Sequence, residues 1–208
     1  MDRRLLQAAV TGDSTLIKQL ASADPAMLLG TTPQGNTCLH ISSTHGHEGF
    51  CRDAVALNAS LLDTINADGE TPLLTAVTRG RASLASFLLS CCREKRLSET
   101  ILKQDKHGCN ALHHSIRRGH RMLAMELREA EPALSKAVDE QNVSPMFIAV
   151  TRGFIDLFEK LLAIPGSTDS GDNGFNVLHA AVKSGNTGGT CASMQTQLTS
   201  TIRPVIYR

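Results

Sequence analysis

Histidine and cysteine are the residue types through which this sequence could do chemistry. Two short histidine pairs stand out, His45 with His47 and His113 with His114, because imidazole nitrogens are common metal ligands. Protein zinc sites are usually completed by further cysteine, histidine or carboxylate ligands at suitable spacing, and the sequence suggests none beside either pair. We therefore expect no metal site and no cofactor.

Cys91 and Cys92 are the other candidate, since adjacent thiols can take part in redox reactions or lipidation. They fall where a predicted helix ends, so we expect burial or ordinary exposure instead. The sequence has no glycine-rich phosphate loop, and no Ser/His/Asp or Cys/His set comes with a supporting motif. We predict no catalytic residues and no enzyme. The rival hypothesis, an enzyme using histidine or cysteine, would require a pocket of convergent groups with perturbed pKa values.

Any such side chain would be positioned by a pattern that occurs six times along the chain. Each copy has a leucine or methionine and then a glycine seven residues later: Leu5 with Gly12, Leu39 with Gly46, Leu73 with Gly80, Leu112 with Gly119, Met146 with Gly153 and Leu178 with Gly185. Successive glycines lie 34, 34, 39, 34 and 32 residues apart. Apolar residues recur at helical spacing on both sides of the first five glycines, which predicts a pair of short helices in each of these copies. A helix pair of this size cannot bury its own apolar face, so the copies must stack.

The start of each first helix carries a second regular feature. Good helix-capping residues occupy one column of the repeat: Thr37, Thr71, Asn110, Ser144 and Asn176. His40, His113 and His179 follow three residues after a cap, and we expect each imidazole to hydrogen-bond backbone in the neighbouring turn. These histidines are therefore predicted to be structural.

A period of about 33 residues with a T-P-L-H-x-A pattern is the signature of ankyrin repeats. We predict an all-α fold, an ankyrin-repeat solenoid of about five to six stacked helix-turn-helix repeats with short turns, over residues 1–186. The predicted core includes Leu39, Leu73, Ala76, Leu84, Leu88, Leu112, Leu123, Ala149 and Leu157. Residues 187–208 are predicted to form a flexible C-terminal tail.

The sixth copy has a first helix but no second helix to cover it. We expect the apolar side of Val177, Leu178, Ala181 and Val182 to stay partly exposed. Solenoids need a polar cap on the terminal unit, and none is evident here. Self-association through this uncapped C-terminal repeat is the consequence that the sequence predicts.

The amino-acid composition argues against some classes of partner. Lys and Arg total 21 and Asp and Glu total 20, which gives a formal net charge of +1. This balance argues against nucleic acid and against a polybasic membrane surface as partners. No apolar run approaches the roughly 18 residues of a membrane helix, so we expect no direct membrane span. We predict protein partners on the concave ankyrin surface, a cytoplasmic location and reduced thiols.

Two sets of residues are candidates for partner binding. The residue before the hinge glycine is basic or imidazole in four successive repeats, His45, Arg79, Arg118 and Arg152, and stacking should align these side chains in one strip. The alternative is that cations favour helix C-termini through the helix dipole. The turn tips beside the strip are Asp68, Glu70, Lys106, His107, Glu140 and Gln141. We predict that the basic strip contacts an acidic segment of a partner, and that the tips beside it lie where a concave solenoid surface usually meets its ligand.

The segments that connect the repeats are more specific than the repeat period, which is common to all ankyrin proteins. The runs TPQGNTCLHISSTHGHEGF, INADGETPLLTAV and KQDKHGCNALHHSIRRGH resemble plant ankyrin-repeat membrane proteins of the accelerated-cell-death type. The resemblance implies an ankyrin array followed by several membrane helices, the PGG domain, with roles in defence and cell-death signalling. Residues 187–208 depart from it because they contain no membrane helix. We therefore expect a non-enzymatic protein-interaction module in plant defence or stress signalling.

Three alternatives remain open at this stage. The chain could be a truncated soluble form of a membrane-anchored signalling protein, able to compete for its partners. It could also be a truncated product with little independent activity. A third alternative is a membrane-protein subunit tied to a bilayer through partners or through acylated Cys91 or Cys92.

Overall fold

Helix pairs follow one another along the part of the chain that the computed structural model describes, residues 1–183. The α-helices of this part are α1 Arg3–Thr11, α2 Ser14–Ala23, α3 Cys38–His45, α4 Glu48–Leu57, α5 Pro72–Thr78, α6 Ala82–Glu94, α7 Ser98–Leu102, α8 Ala111–Arg117, α9 Arg121–Ala130, α10 Pro145–Thr151, α11 Ile155–Leu162 and α12 Val177–Lys183. Short 3-10 helices lie at Pro25–Leu29, Ala59–Asp63, Pro132–Lys136 and Asp172–Gly174. No β-strand occurs between residues 1 and 183, and none of their helices is long and apolar enough to cross a bilayer. The predicted all-α fold is confirmed.

Capping residues and glycines set where the helices begin and end. Thr71 Oγ1 accepts a hydrogen bond from the Leu74 amide at 3.3 Å, and Pro72 occupies the first position of α5. Gly80 adopts a φ of 75°, which allows the chain to turn directly into α6. Asn110 caps α8 in the same way, since its Oδ1 accepts hydrogen bonds from two backbone amides.

The first helices of the repeats stack in one row and the second helices in another. Contacts run from α1 through α3, α5, α8 and α10 to α12, while α2 packs on α4 and α9 packs on α6 and α11. The predicted core residues are all buried: Leu39, Leu73, Ala76, Leu84, Leu88, Leu112, Leu123, Ala149 and Leu157. Small buried residues let the first helices approach closely, namely Ala8, Ser42, Ala76, Ser115, Ala149 and Ala181. Each repeat thus completes the apolar core of its neighbour.

Repeat three is longer than its neighbours because its second helix is extended. α6 has 13 residues, and the additional helix α7 takes the place that a 3-10 helix occupies in other repeats. Cys92 is fully buried on α6, and burial raises its pKa to about 12. Cys91 is half-buried. The structure thus shows burial for Cys92, one of the two outcomes expected for this pair, and its thiol is protonated near neutral pH.

The sixth repeat differs in part from the prediction. Val177 and Ala181 are buried because α12 packs against α10, whereas Leu178 is half-buried. The expected exposure is therefore wrong for Val177 and Ala181. The side chain of Val182 and the predicted tail at 187–208 lie outside the described residues.

Candidate partner-binding surface

The turns that precede the first helices share one internal design. Asn66 Oδ1 accepts hydrogen bonds from the amides of Asp68, at 3.0 Å, and Glu70, at 2.9 Å. Asp105 and Asp139 do the same in the next two repeats, each bonding the amides two and four residues further along the chain. A short side chain with an acceptor oxygen therefore holds each turn through bonds within the turn itself.

Successive turns are also joined to each other through their backbones. The amides of Ala67, Lys106 and Glu140 donate to the carbonyls of Gln34, Asp68 and His107, at 2.9, 2.8 and 3.0 Å. Gly69 has a φ of 79°, and a Cβ added to it would lie 3.2 Å from the Lys106 amide nitrogen. Glycine suits this position for two reasons: it adopts a positive φ without strain, and its lack of a Cβ lets the next turn approach closely. The turns of repeats two to five form one continuous edge, which we call the turn row, residues 32–36, 66–70, 105–109 and 139–143.

Charged tips of the turn row pair across repeats. Lys106 Nζ lies 2.8 Å from Asp68 Oδ1, and His107 Nδ1 lies 3.0 Å from Glu140 Oε1. The hydrogen bond from Lys106 lowers the pKa of the Asp68 carboxyl, and the same bond raises the pKa of the Lys106 ammonium. These tip charges are therefore already partly compensated within the array.

Six of the predicted partner-binding residues line one cleft, which we call the basic cleft. Its volume is about 270 Å³, and its walls include Asp68, Glu70, Arg79, Lys106, His107 and Arg118. The name refers to its two arginines, because the carboxylates of Asp68, Glu70 and Asp105 balance the three cations of the lining. Arg79 and Arg118 are exposed, and within residues 1–183 neither guanidinium forms a hydrogen bond or an ion pair. The structure thus brings these two arginines of the strip into one cleft.

Glu70 does not sit where the sequence suggested. We expected an exposed turn tip, but only 9% of this residue is exposed. Its Oε2 accepts a hydrogen bond from Thr75 Oγ1 at 3.0 Å, which turns the carboxylate towards α5. Glu70 therefore forms part of the wall of the basic cleft and not its rim.

A second cleft of about 330 Å³ adjoins the basic cleft, and we call it the thiol cleft. Its lining includes Asp105, His107, Cys109, His114, Arg117, Asp139, Glu140 and Gln141. The two clefts share Asp105, His107 and His114. The predicted tips His107, Glu140 and Gln141 are thus brought together here, on the rim between repeats four and five.

The other two members of the predicted strip lie outside both clefts. His45 is exposed, and its ring stacks on that of His47 with centroids 5.7 Å apart. Arg152 donates from Nη2 to the carbonyl of Arg117, the last residue of α8. That carbonyl is one of the unpaired acceptors at a helix C-terminus, so Arg152 serves helix capping between repeats. Arg152 thus has a structural role at a helix end, as the helix-dipole alternative expects of a cation there, and its role in binding stays a prediction.

Comparison with known proteins agrees with this architecture. The protein family described as "Ankyrin repeats (3 copies)" matches residues 5–100. These residues are ankyrin repeats. The same helix pairs and turns continue beyond residue 100, so the described chain as a whole is an ankyrin solenoid.

Two relatives carry similar ankyrin sequence. The chain is 28% identical over 151 residues to the transient receptor potential cation channel subfamily A member 1 homolog of Caenorhabditis elegans, a match that covers 73% of this chain and 12% of that protein. It is 28% identical over 97 residues to the Ankyrin repeat-containing protein ITN1 of Arabidopsis thaliana, a match that covers 47% of this chain and 16% of that protein. The chain thus spans less than a fifth of either relative.

Two of the three histidines of the ankyrin pattern, His40 and His113, have the structural role that the sequence predicts. The prediction is wrong for His179, which is exposed and whose ring, within residues 1–183, hydrogen-bonds its own cap residue Asn176 and no neighbouring turn. His40 Nε2 lies 3.0 Å from the Glu70 carbonyl oxygen, and His113 Nε2 lies 3.1 Å from that of Val143. Burial lowers the pKa of both imidazoles to about 4, although each of these hydrogen bonds opposes the shift. The two rings are therefore neutral links between one ankyrin repeat and the next turn.

The ankyrin array also gathers a set of side chains that the sequence analysis missed. His114 Nε2 lies 2.7 Å from Asp105 Oδ2, and Arg117 Nη1 lies 2.8 Å from the sulfur of Cys109. Arg117 also forms an ion pair with Asp139 of the next repeat. The expectation that no cysteine or carboxylate lies beside His114 is thus wrong, because the turn before α8 folds back against that helix. The spacing of Asp105, Cys109 and His114 could have signalled it, since two positions belong to a turn and the third to the helix that the turn begins.

Proposed function

We propose that this ankyrin array is a non-enzymatic module that binds an acidic segment of a partner protein in the basic cleft. Ankyrin repeats are protein-interaction modules, so the class of function follows from the fold. The observation that supports this particular site is that Arg79 and Arg118 remain unpaired there, while the neighbouring tip charges pair with each other. A guanidinium offers two parallel N–H donors that match a carboxylate. A peptide with closely spaced Asp or Glu residues could therefore bind both arginines at once.

The turn row supports this proposal because it makes the cleft rigid. Arg79 follows α5 and Arg118 follows α8, and these helices pack directly on each other. The opposite wall is fixed by the hydrogen bond between the Lys106 amide and the Asp68 carbonyl. A preformed cleft loses little conformational entropy when a partner binds.

The proposed biological setting is plant defence or stress signalling in the cytoplasm. Support comes from the resemblance of the connecting segments to plant proteins of the accelerated-cell-death type and from the match to the Arabidopsis protein ITN1. The match to a cation channel of C. elegans shows that related arrays also occur in proteins of other kinds. The acidic-segment proposal does not depend on the setting, because it rests on the cleft alone.

Affinity capture with a charge-reversed variant tests the site. We expect the double substitution Arg79→Glu and Arg118→Glu to abolish capture of the partner from source tissue by the full chain. Capture by the unaltered chain should also weaken as salt rises from 50 to 300 mM, about the range over which the Debye length falls below 10 Å.

The matched control is Arg93→Glu. Arg93 is an exposed arginine in the last turn of α6, so it shares the helix-end position of Arg79 and Arg118 but lies outside the basic cleft. Equal capture by the unaltered chain and the double variant would refute the basic cleft as the binding site. Equal loss in Arg93→Glu would show that total charge matters and the cleft does not.

A further inference from the structure

The thiol cleft brings together three different metal-binding groups. The carboxylate of Asp105, the thiol of Cys109 and the imidazole of His114 present one ligand atom each, and these atoms all lie within 4.8 Å of one another. Asp105 Oδ2 and His114 Nε2 are the closest pair, at 2.7 Å. Ligand atoms around a tetrahedral zinc ion lie roughly 3–4 Å apart, given metal–ligand distances of about 2.0–2.3 Å. Small side-chain movements would therefore suffice to place an ion between the three.

The local fold orients these groups before any ion binds. Asp105 uses Oδ1 to hold the turn, through the amides of His107 and Cys109, and this leaves Oδ2 directed at α8. Cys109 ends that turn, and His114 lies on the helix that follows. The turn and the first part of α8 thus position all three ligand atoms.

The same positions in the neighbouring repeats show that the set is specific to repeat four. Repeat two has Asn36 and Ile41 where repeat four has Cys109 and His114, and repeat five has Val143 and Ile148. Repeat three has Glu70 and Thr75, which hydrogen-bond to each other. The position of Asp105, by contrast, is filled by Thr32, Asn66 and Asp139 in these repeats. Each of these side chains accepts a hydrogen bond from a turn amide, which is what holds the turn. Stacking and turn formation therefore do not call for a thiol and an imidazole together.

We propose that Asp105, Cys109 and His114 bind one divalent ion of the zinc class, with water at the fourth position. Sulfur and imidazole nitrogen favour zinc and related transition ions over magnesium or calcium, which prefer oxygen ligands. Binding releases one proton to solvent, from the Cys109 thiol. The proton through which His114 Nε2 bonds Asp105 Oδ2 leaves that nitrogen, so that Nε2 binds the ion and Nδ1 carries the ring proton.

Charge in the thiol cleft favours a cation, with one opposing group. Asp105, Asp139 and Glu140 bring three carboxylates to the lining, against the single guanidinium of Arg117. That guanidinium contacts the Cys109 sulfur and the Asp139 carboxylate together. An ion would displace Arg117 from the sulfur and leave its ion pair with Asp139 in place.

Cobalt(II) titration of the full, reduced chain tests the site directly. We expect saturation at one ion per chain and a near-ultraviolet absorption band from thiolate-to-cobalt charge transfer. Zinc should displace the cobalt and remove the band. Cys109→Ser should abolish the band. Cys91→Ser is the control, since Cys91 is likewise a cysteine whose pKa is raised by burial but lies outside the thiol cleft, and it should leave the titration unchanged.

Two further variants use residues that this array already tolerates at the same positions. Asp105→Asn copies Asn66, which folds the equivalent turn, and His114→Thr copies Thr75. Each should keep the circular dichroism spectrum and the Tm of the metal-free chain. Each should weaken cobalt binding by about 10–100-fold or more, since even groups that only support a ligand have effects of that size.

Replacing Arg117, the group that opposes ion binding, should change the cobalt affinity in the opposite direction. Arg117→Thr copies the threonines Thr78 and Thr151 of the adjacent repeats and should tighten cobalt binding, because the competitor for the sulfur is gone. No charge-transfer band in the unaltered chain would overturn the proposal. A band that survives Cys109→Ser, or weaker binding by Arg117→Thr, would equally overturn the assignment of this thiol as a ligand.

Discussion

Replacing Leu112 by alanine tests the register of the whole array. Leu112 lies on α8 in the middle of the stack, is fully buried, and belongs to the column that the sequence assigns to the core. The change removes three carbon atoms from a site where α8 packs on α5 and on α10. Both neighbours are themselves held by further repeats, so the surroundings can relax only slightly into the space.

The expected loss follows from that packing. Leucine-to-alanine changes in protein cores cost about 2–5 kcal/mol, and the larger values belong to sites that cannot collapse. We expect Leu112→Ala to lower the free energy of unfolding by about 3–5 kcal/mol. For a domain of this size a loss of 1 kcal/mol lowers Tm by about 2–4 °C.

Urea denaturation followed by circular dichroism at the helix band measures the loss. The control is Met122→Ala on α9, because Met122 is 74% exposed and should change stability by no more than about 0.5 kcal/mol. A midpoint unchanged by Leu112→Ala, or moved as far by Met122→Ala, would refute the assigned register.

Two other properties of the array can be tested in the same way. Gly69→Ala should destabilise the chain by about 1 kcal/mol or more, because Gly69 has a φ of 79° and its new Cβ would press on the backbone of the next turn. Gly119→Ala is the control, because Gly119 has a similar φ of 81° but a Cβ added there would have no atom within 4 Å. Its loss of stability should therefore be smaller and reflect backbone strain alone. Equal losses of stability in the two variants would contradict the contact between turns. Stability should also fall as the pH drops from about 6.5 to 4. His40 and His113 have folded pKa values of about 4, below their ordinary value of 6.5. The unfolded chain therefore binds more protons than the folded chain in this pH window. Each histidine should contribute a slope of about 1.4 kcal/mol per pH unit there. His113→Asn should reduce the slope in pH-dependent urea titrations, and an unchanged slope would show that the ring does not resist protonation.

Much of the fold could be predicted from sequence because every repeat must bury the same apolar face and end its helices at equivalent positions. The spacing of Leu73 and Gly80, and of their counterparts, fixes both the buried face and the helix stop. The capping role of Thr71 and the structural role of His40 also follow from local spacing. These features depend on residues a few positions apart, so one repeat is enough to reveal them.

The clefts could be predicted only in part because they depend on contacts between repeats and between a turn and its own helix. The pairing of Lys106 with Asp68 is set by the register of two turns 38 residues apart. Arg152 was assigned to a binding strip, but its reach to the carbonyl that ends α8 is visible only when the repeats are stacked. The approach of His114 to Asp105 and Cys109 likewise needs the folded turn. Sequence columns locate such residues on the array without showing which neighbour each side chain meets.

Hydrogen exchange of the full chain, with and without its captured partner, tests the central claim most directly. If an acidic segment binds in the basic cleft, backbone amides should gain protection at residues 66–70 and 105–109 of the turn row and around Arg79 and Arg118. The second helices α2, α4, α9 and α11 should be unchanged. Protection confined to those second helices, with none at the turns of repeats three and four, would contradict the proposed binding site.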